Sequence, residues 1–298
     1  MRRDRKIVWH PAGVAAIAGK RVIVVGGTGG IGRAISRLLA SHGADVTVVG
    51  RRFRDADRPD IVFVPADLGL MGEARRVAEE LPAENADILI FTTGIFAAPH
   101  RQMTADGIER DLAVSYLNRF VMLRSLAPRL GRDRRDTAFR PRIFVMGYPG
   151  TGAAGDPGDL NAERRYTALG AHKNTIAGNE MLVIDLARRF PGIGSFGLNP
   201  GLIRTDIRGN PLGENSLRHR IVETLIGLLA PDADSYARRI APLLLSPDLE
   251  RFNGAMFDRK ARAILPTAAL TPDHIDRFMT ASERLAQPWL EGASSPRL

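Results

Sequence analysis

Gly26, Gly27, Gly29, Gly30 and Gly32 crowd together directly after the β-branched run Val22 to Val25. A helical pattern then begins at Ile31, Ala34, Ile35 and Leu38. Strand, tight glycine turn and helix, in that order, let backbone N–H groups approach a pyrophosphate. The helix N-terminus adds partial positive charge. A bare glycine pattern is weak evidence, but the flanking strand and helix supply the context that nucleotide binding requires. Other chemistries lack their residues. There is no cysteine, which excludes disulfides and thiolate chemistry. The histidines His10, His42, His100, His172, His219 and His274 are scattered, so no metal centre is expected.

The elements that must position such a turn alternate along the chain. Strands are expected at 21–25, 45–49, 61–64, 87–91, 142–146, 193–198 and 255–257. Helices are expected at 30–42, 71–81, 105–130, 165–190, 214–230, 233–245 and 272–286. Alternation of this kind implies an α/β fold, a parallel sheet covered on both faces. The loop from Gly147 to about Arg164 is long for a connection, and loops of that length are more often functional than not. Residues 1–18 read as a lead-in segment and 291–298 as a flexible tail.

The 298 residues are enough for one large domain with a buried core. Hydrophobic content of 44% and charged content of 25% fit a globular protein. No apolar run is long enough to span a bilayer, and a cytoplasmic location is expected. The net charge of +9 comes nearly all from arginine, since Lys6, Lys20, Lys173 and Lys260 are the only lysines. The densest basic run, Arg129 to Arg142, has Asp133 and Asp136 mixed in and reads as a solvated loop. It lacks the basic stripe of a nucleic-acid site, so no nucleic-acid partner is expected.

Taken together, these landmarks resemble the short-chain dehydrogenase/reductase family over about residues 19–260. Val25 to Gly32 is similar to that family's cofactor turn, with Val25 where a threonine is usual. Asp67-Leu68 matches its adenine-contacting pair. Phe91-Thr92-Thr93-Gly94 stands where the family has Asn-Asn-Ala-Gly. Asn199-Pro200-Gly201, with Ile203 and Thr205, resembles the segment that folds over the nicotinamide. The resemblance implies a doubly wound parallel sheet, a Rossmann fold. One domain, 19–290, would bind NAD(P) and carry a helical substrate-capping insertion at about 206–231. The implied cofactor contacts are Gly26, Thr28, Gly29, Gly30, Ile31, Gly32, Asp67, Leu68, Thr93, Gly94, Pro200, Gly201, Ile203 and Thr205. An enzyme choosing NAD usually has an acid at the end of the second strand. This chain has Gly50-Arg51-Arg52 there, two guanidiniums suited to a 2′-phosphate, so NADP(H) is expected over NAD(H).

The family's chemistry uses a tyrosine, a lysine four residues later, a serine and an asparagine. In the register set by Asn179 and Leu186-Ala187-Arg188-Arg189, the tyrosine position is His172 and the lysine position is Ile176. No other register supplies both: one brings Lys173 with Leu169, another Tyr166 with Gly170. The serine position falls on Gly147-Tyr148 and the asparagine position on Ser115. Tyr148, His172, Ser115 and Lys173 are therefore the catalytic candidates of a member lacking the usual Tyr-x-x-x-Lys pair. An imidazole ordinarily titrates close to neutral pH, which suits His172 to proton donation. Tyr166 would share a side with Lys173 if its helix extends that far.

The expected activity is an NADP-dependent oxidoreductase acting on a carbonyl or hydroxyl group of a small-molecule substrate. The apolar stripe Leu217, Ile221, Leu225, Leu228 and Leu229 suggests that the substrate is apolar. Two readings compete: a non-redox cyclase, isomerase or dehydratase on the same scaffold, and a non-catalytic NADP-binding sensor. Family members often pair through the helices at 105–130 and 165–190, so a homo-oligomer is open.

Overall fold

The computed structural model describes residues 1–134, 139–201 and 232–291. Its centre is an eight-stranded sheet in the order β3-β2-β1-β4-β5-β6-β7-β8. The strands are β1 (Arg21–Val25), β2 (Asp45–Gly50), β3 (Ile61–Pro65), β4 (Ile88–Phe91), β5 (Arg142–Met146), β6 (Gly194–Leu198), β7 (Met256–Phe257) and β8 (Ala263–Ile264). Every neighbouring pair is parallel except β7 with β8.

The helices are α1 (Gly30–Ser41), α2 (Met71–Glu80), α3 (Arg110–Leu112), α4 (Asn118–Leu126), α5 (Ala168–Arg189), α6 (Ala233–Leu244) and α7 (Pro272–Leu290). On β1, Ile23 and Val25 enter the core under α2, α4, α5 and α7. Val22 and Val24 enter the core under α1 and α6. A strand buried on both faces needs an unbroken apolar run, and this is what makes the sheet doubly covered. Strand order reverses between β1 and β4, which opens a crevice at their carboxyl ends.

Two helices begin later than their apolar periodicity suggests. The one expected at 105–130 starts at Arg110, because Met103 bridges Glu109 across a turn in which Gly107 has φ +74°. The Glu109 carboxylate caps it by accepting from the Leu112 N–H at 2.8 Å. The helix then widens into a π turn at Ala113–Leu117 before α4. The helix expected at 165–190 starts at Ala168, capped by the Thr167 hydroxyl accepting from the Gly170 N–H at 3.0 Å. Tyr166 therefore precedes α5, shares no helix face with Lys173, and donates its hydroxyl to the Ala98 carbonyl at 2.5 Å.

The run Arg129 to Arg142 is not simply solvated. The Arg134 side chain is 4% exposed and pairs with Asp87 at 2.8 Å. Arg142, at the start of β5, is fully buried, bonded to Glu250 at 2.9 Å and stacked over the Phe139 ring. Composition could not separate these paired arginines from the exposed ones around them.

The lead-in segment lies alongside β8. Asp4 N–H donates to the Ala263 carbonyl at 3.0 Å, and Leu265 N–H donates to the Arg2 carbonyl at 2.9 Å. No helix among the described residues is long and apolar enough to cross a membrane. The expected helix at 214–230, the cap at 206–231, its apolar stripe and residues 292–298 of the tail lie outside the described residues.

Candidate active site

The glycine turn sits in the crevice between β1 and β4. Gly26 has φ +90°, and a Cβ there would come within 2.7 Å of the Thr93 backbone nitrogen. A Cβ on Gly32 would overlap Thr92 Oγ1 and the Gly26 carbonyl. The Cα of Gly29, by contrast, faces open space. Side chains are thus excluded where the turn touches the sheet, and room is left on its outer side. The first N–H groups of α1 have no intrahelical partner and no acid in the first turn to compete for them. These residues fit a dinucleotide's phosphates.

At the end of β2, Arg51 and Arg52 are exposed. The nearest buried acid, Asp55, has a side chain only 2% exposed. It accepts from Arg33 Nη2 at 2.6 Å and from Arg37 Nη1 at 2.5 Å. The Arg33 hydrogen bond holds its carboxyl below the usual range, against the opposing effect of burial. Its oxygens are committed to guanidiniums. Thr28 lies against Gly50, where a Cβ would come within 2.5 Å of the Thr28 hydroxyl. Asp67 is exposed and folds back on the Gly69 N–H at 3.0 Å, while the Leu68 carbonyl accepts from Asn118 at 3.0 Å.

Beyond the turn lies a cleft of about 680 Å³. Ile31, Thr93, Gly94, Pro200, Gly201, Ser115, Tyr148 and His172 all line it. Lys173 is exposed and does not line it, because it falls one position off the face of α5 that carries His172, Ile176 and Asn179. Ile203 and Thr205 lie outside the described residues.

His172 has a partner that sequence reasoning missed. Its Nδ1 lies 2.7 Å from Oδ2 of Asp111, a carboxylate with no solvent exposure. The other Asp111 oxygen accepts from the Ser115 hydroxyl at 2.5 Å. The Ser115 oxygen in turn accepts from the Ile95 N–H at 3.0 Å, just past Gly94. Phe96 packs on the imidazole at 5.0 Å and Tyr148 meets it edge-on at 6.2 Å. With Nδ1–H directed at Asp111, Nε2 is the nitrogen left for a ligand. It makes no hydrogen bond among the described residues. The i, i+4 spacing of Asp111 and Ser115 was the available signal, and the turn at Ala113–Leu117 bends it out of simple α geometry.

Arg119 was also missed. It is 2% exposed, yet it lines the cleft. Its guanidinium donates to Asn179 Oδ1 at 2.7 Å and to the carbonyls of Met146 and Thr93, at the ends of β5 and β4. No carboxylate bonds to it among the described residues. Burial lowers its pKa to about 9, which still leaves it charged at neutral pH. Glu180 holds the neighbouring loop by accepting from the Gly150 N–H at 3.0 Å and the Thr267 hydroxyl at 2.9 Å. Burial raises the Glu180 carboxyl, with those donors opposing. This anchor fixes the loop that presents Tyr148.

A doubly wound sheet with a glycine turn at its switch point, beside a cleft, is a scaffold of the nucleotide-binding Rossmann type. A family model described as short chain dehydrogenase matches residues 20–137. The chain is 46% identical over 299 residues to an uncharacterized oxidoreductase, YKL107W, of Saccharomyces cerevisiae, covering 98% of this chain and 97% of that one. It is 28% identical over 207 residues to human retinol dehydrogenase 12, covering 64% of each. A solved short-chain dehydrogenase/reductase from Serratia marcescens shares the fold at TM-score 0.59 and 22% identity, covering 84% of this chain and 97% of that one. The chain belongs to the short-chain dehydrogenase/reductase family, and the family assigns it as an oxidoreductase.

Proposed function

We propose that the protein is an NADP-dependent reductase or dehydrogenase of a small, apolar carbonyl or alcohol, with His172 as its proton donor in place of a tyrosine. The observation that carries this reading is the 2.7 Å contact between His172 Nδ1 and the buried Asp111 carboxylate inside the cleft. The carboxylate fixes the ring and stabilises the imidazolium. Nε2–H is then free to donate to a carbonyl oxygen, or Nε2 to accept the proton in the reverse direction. A bound nicotinamide supplies or accepts the hydride. Tyr148 supports the substrate side by packing on the imidazole edge, and Ser115 holds the far side of Asp111.

An apolar substrate is supported by Ile95, Phe96, Met146 and Ile176, which line the cleft around this polar pair. Preference for NADP is supported by the exposed Arg51 and Arg52 and by the commitment of Asp55 to Arg33 and Arg37. With Asp55 held by two guanidiniums, the acid that would bond a ribose 2′-hydroxyl is not offered at the end of β2. We expect cytoplasmic residence and a small-molecule substrate.

The test is NADPH consumption with a panel of apolar aldehydes and ketones. His172→Ala should lower kcat by about a hundredfold or more while NADPH still binds. Unchanged turnover in that variant would move the proton-donor role to Tyr148. Substrate conversion without NADPH consumption would favour a non-redox reaction in the same cleft.

A further inference from the structure

We propose that Arg119 is the fixed positive charge of this cleft and that it makes the site select the reduced over the oxidised nicotinamide. The inference rests on the proposed function, in which the nicotinamide end of the cofactor enters this cleft.

The geometry isolates one charge. The Arg119 guanidinium is held by Asn179 on α5 and by the carbonyls of Thr93 and Met146. Four neutral acceptors, counting the Thr93 hydroxyl at 3.5 Å from Nε, satisfy its hydrogen bonds without cancelling its charge. A buried guanidinium normally sits against a carboxylate, because desolvation is costly without one. The acid that acts on it electrostatically is Asp111, whose carboxylate is in direct contact with Ser115 and His172 and makes no ion pair with Arg119. Arg119 therefore acts on whatever occupies the cleft with no carboxylate in direct contact with it among the described residues. Burial also keeps dissolved salt from screening it.

The lysine expected at the Ile176 position is absent, and Ile176 contributes only an apolar surface to the cleft. Arg119, on α4, lines the same cleft and brings a cation to it. The two forms of the cofactor differ by a hydride, so the oxidised ring carries one more positive charge than the reduced ring. A fixed cation at the cleft wall opposes the oxidised form and leaves the reduced form unaffected. A unit charge about 10 Å away at an effective dielectric near 20 changes relative affinity on the order of tenfold.

A role confined to packing makes a different prediction. Loosening β4, β5 and α5 would weaken both cofactor forms alike and leave their ratio unchanged. The experiment is calorimetric titration of the purified full chain with NADPH and with NADP⁺. Wild type should bind NADPH about tenfold or more tightly than NADP⁺. Arg119→Lys keeps the charge and should keep the ratio within about threefold, an estimate that allows for a shifted point charge. Arg119→Gln should lower the ratio by about tenfold. Should Arg119→Gln fail to fold, Asn179→Asp serves instead: it leaves the guanidinium in place, sets a negative charge against it, and should lower the ratio in the same direction. Equal affinity for both forms in wild type, or a ratio unmoved in Arg119→Gln or Asn179→Asp, overturns the proposal. Failure of wild type to bind either nucleotide would instead sink the functional reading on which it rests.

Discussion

Three side chains from two separated stretches of the chain make the polar centre of the cleft: His172 on α5, and Asp111 on α3 with Ser115 one turn later in the π turn. The imidazole has a defined orientation because its Nδ1 is bonded to a carboxylate that is itself bonded on its far side. Asp111→Asn should preserve the shape but remove the charge that stabilises the imidazolium. We expect kcat to fall about tenfold or more with KM for NADPH little changed, measured by steady-state kinetics. At the opposite end of the crevice, Arg51→Ala with Arg52→Ala should weaken NADP(H) by roughly tenfold or more, since charge-assisted hydrogen bonds are lost. NAD(H) affinity should change little, and equal losses for both cofactors would remove the basis for the NADP assignment.

At the scale of elements, the site is a consequence of where helices begin and how they are pinned. Glu109 and Thr167 set the starts of α3 and α5 through their capping bonds. Those starts decide that Asp111 and His172 face each other. Thr167→Ala should destabilise the protein by about 1 kcal/mol, read from urea unfolding. It should also lower turnover more than NADPH affinity, because the first turns of α5 carry His172. The apolar periodicity of both helices was legible in the sequence. Their first turns were not, because the capping side chains stand in turns whose geometry depends on distant contacts. Glu109 is one case: its N–H is held by Asn161 at 2.7 Å, from the long loop after β5.

Across the whole molecule, stability draws on arginine–carboxylate pairs that tie separate segments together. Asp55 links α1 to the connection between β2 and β3 through Arg33 and Arg37. Its carboxyl is lowered from 3.8 by the Arg33 hydrogen bond, so its contribution is present above pH 3.8 and is lost as pH falls through the native value. Asp55→Asn should therefore cost about 1–2 kcal/mol at neutral pH, a figure reduced because both guanidiniums are partly exposed. The difference from wild type should shrink as pH falls below 3.8 through the native value, in thermal unfolding followed across pH.

The sequence by itself determined the parallel part of the sheet, because a strand buried on both faces must be an unbroken apolar run and each such run is local, whereas the two-residue antiparallel β8 carries no such run and was not expected. It likewise determined the glycine turn, since the glycines that allow close backbone approach lie within seven residues of one another. It also placed His172 and Ile176 on one face of α5, because helical spacing fixes which residues share a side. Only the tertiary structure decided that Asp111 orients His172, since that contact joins residues 61 positions apart. It alone decided that Arg119 is buried against four neutral acceptors, and that Arg134 and Arg142 are paired within a run that composition reads as solvated. The physical reason is the same in each case. Backbone preference and hydrophobic period act over a few residues, whereas the environment of a charge is set by whichever distant segments the fold brings against it.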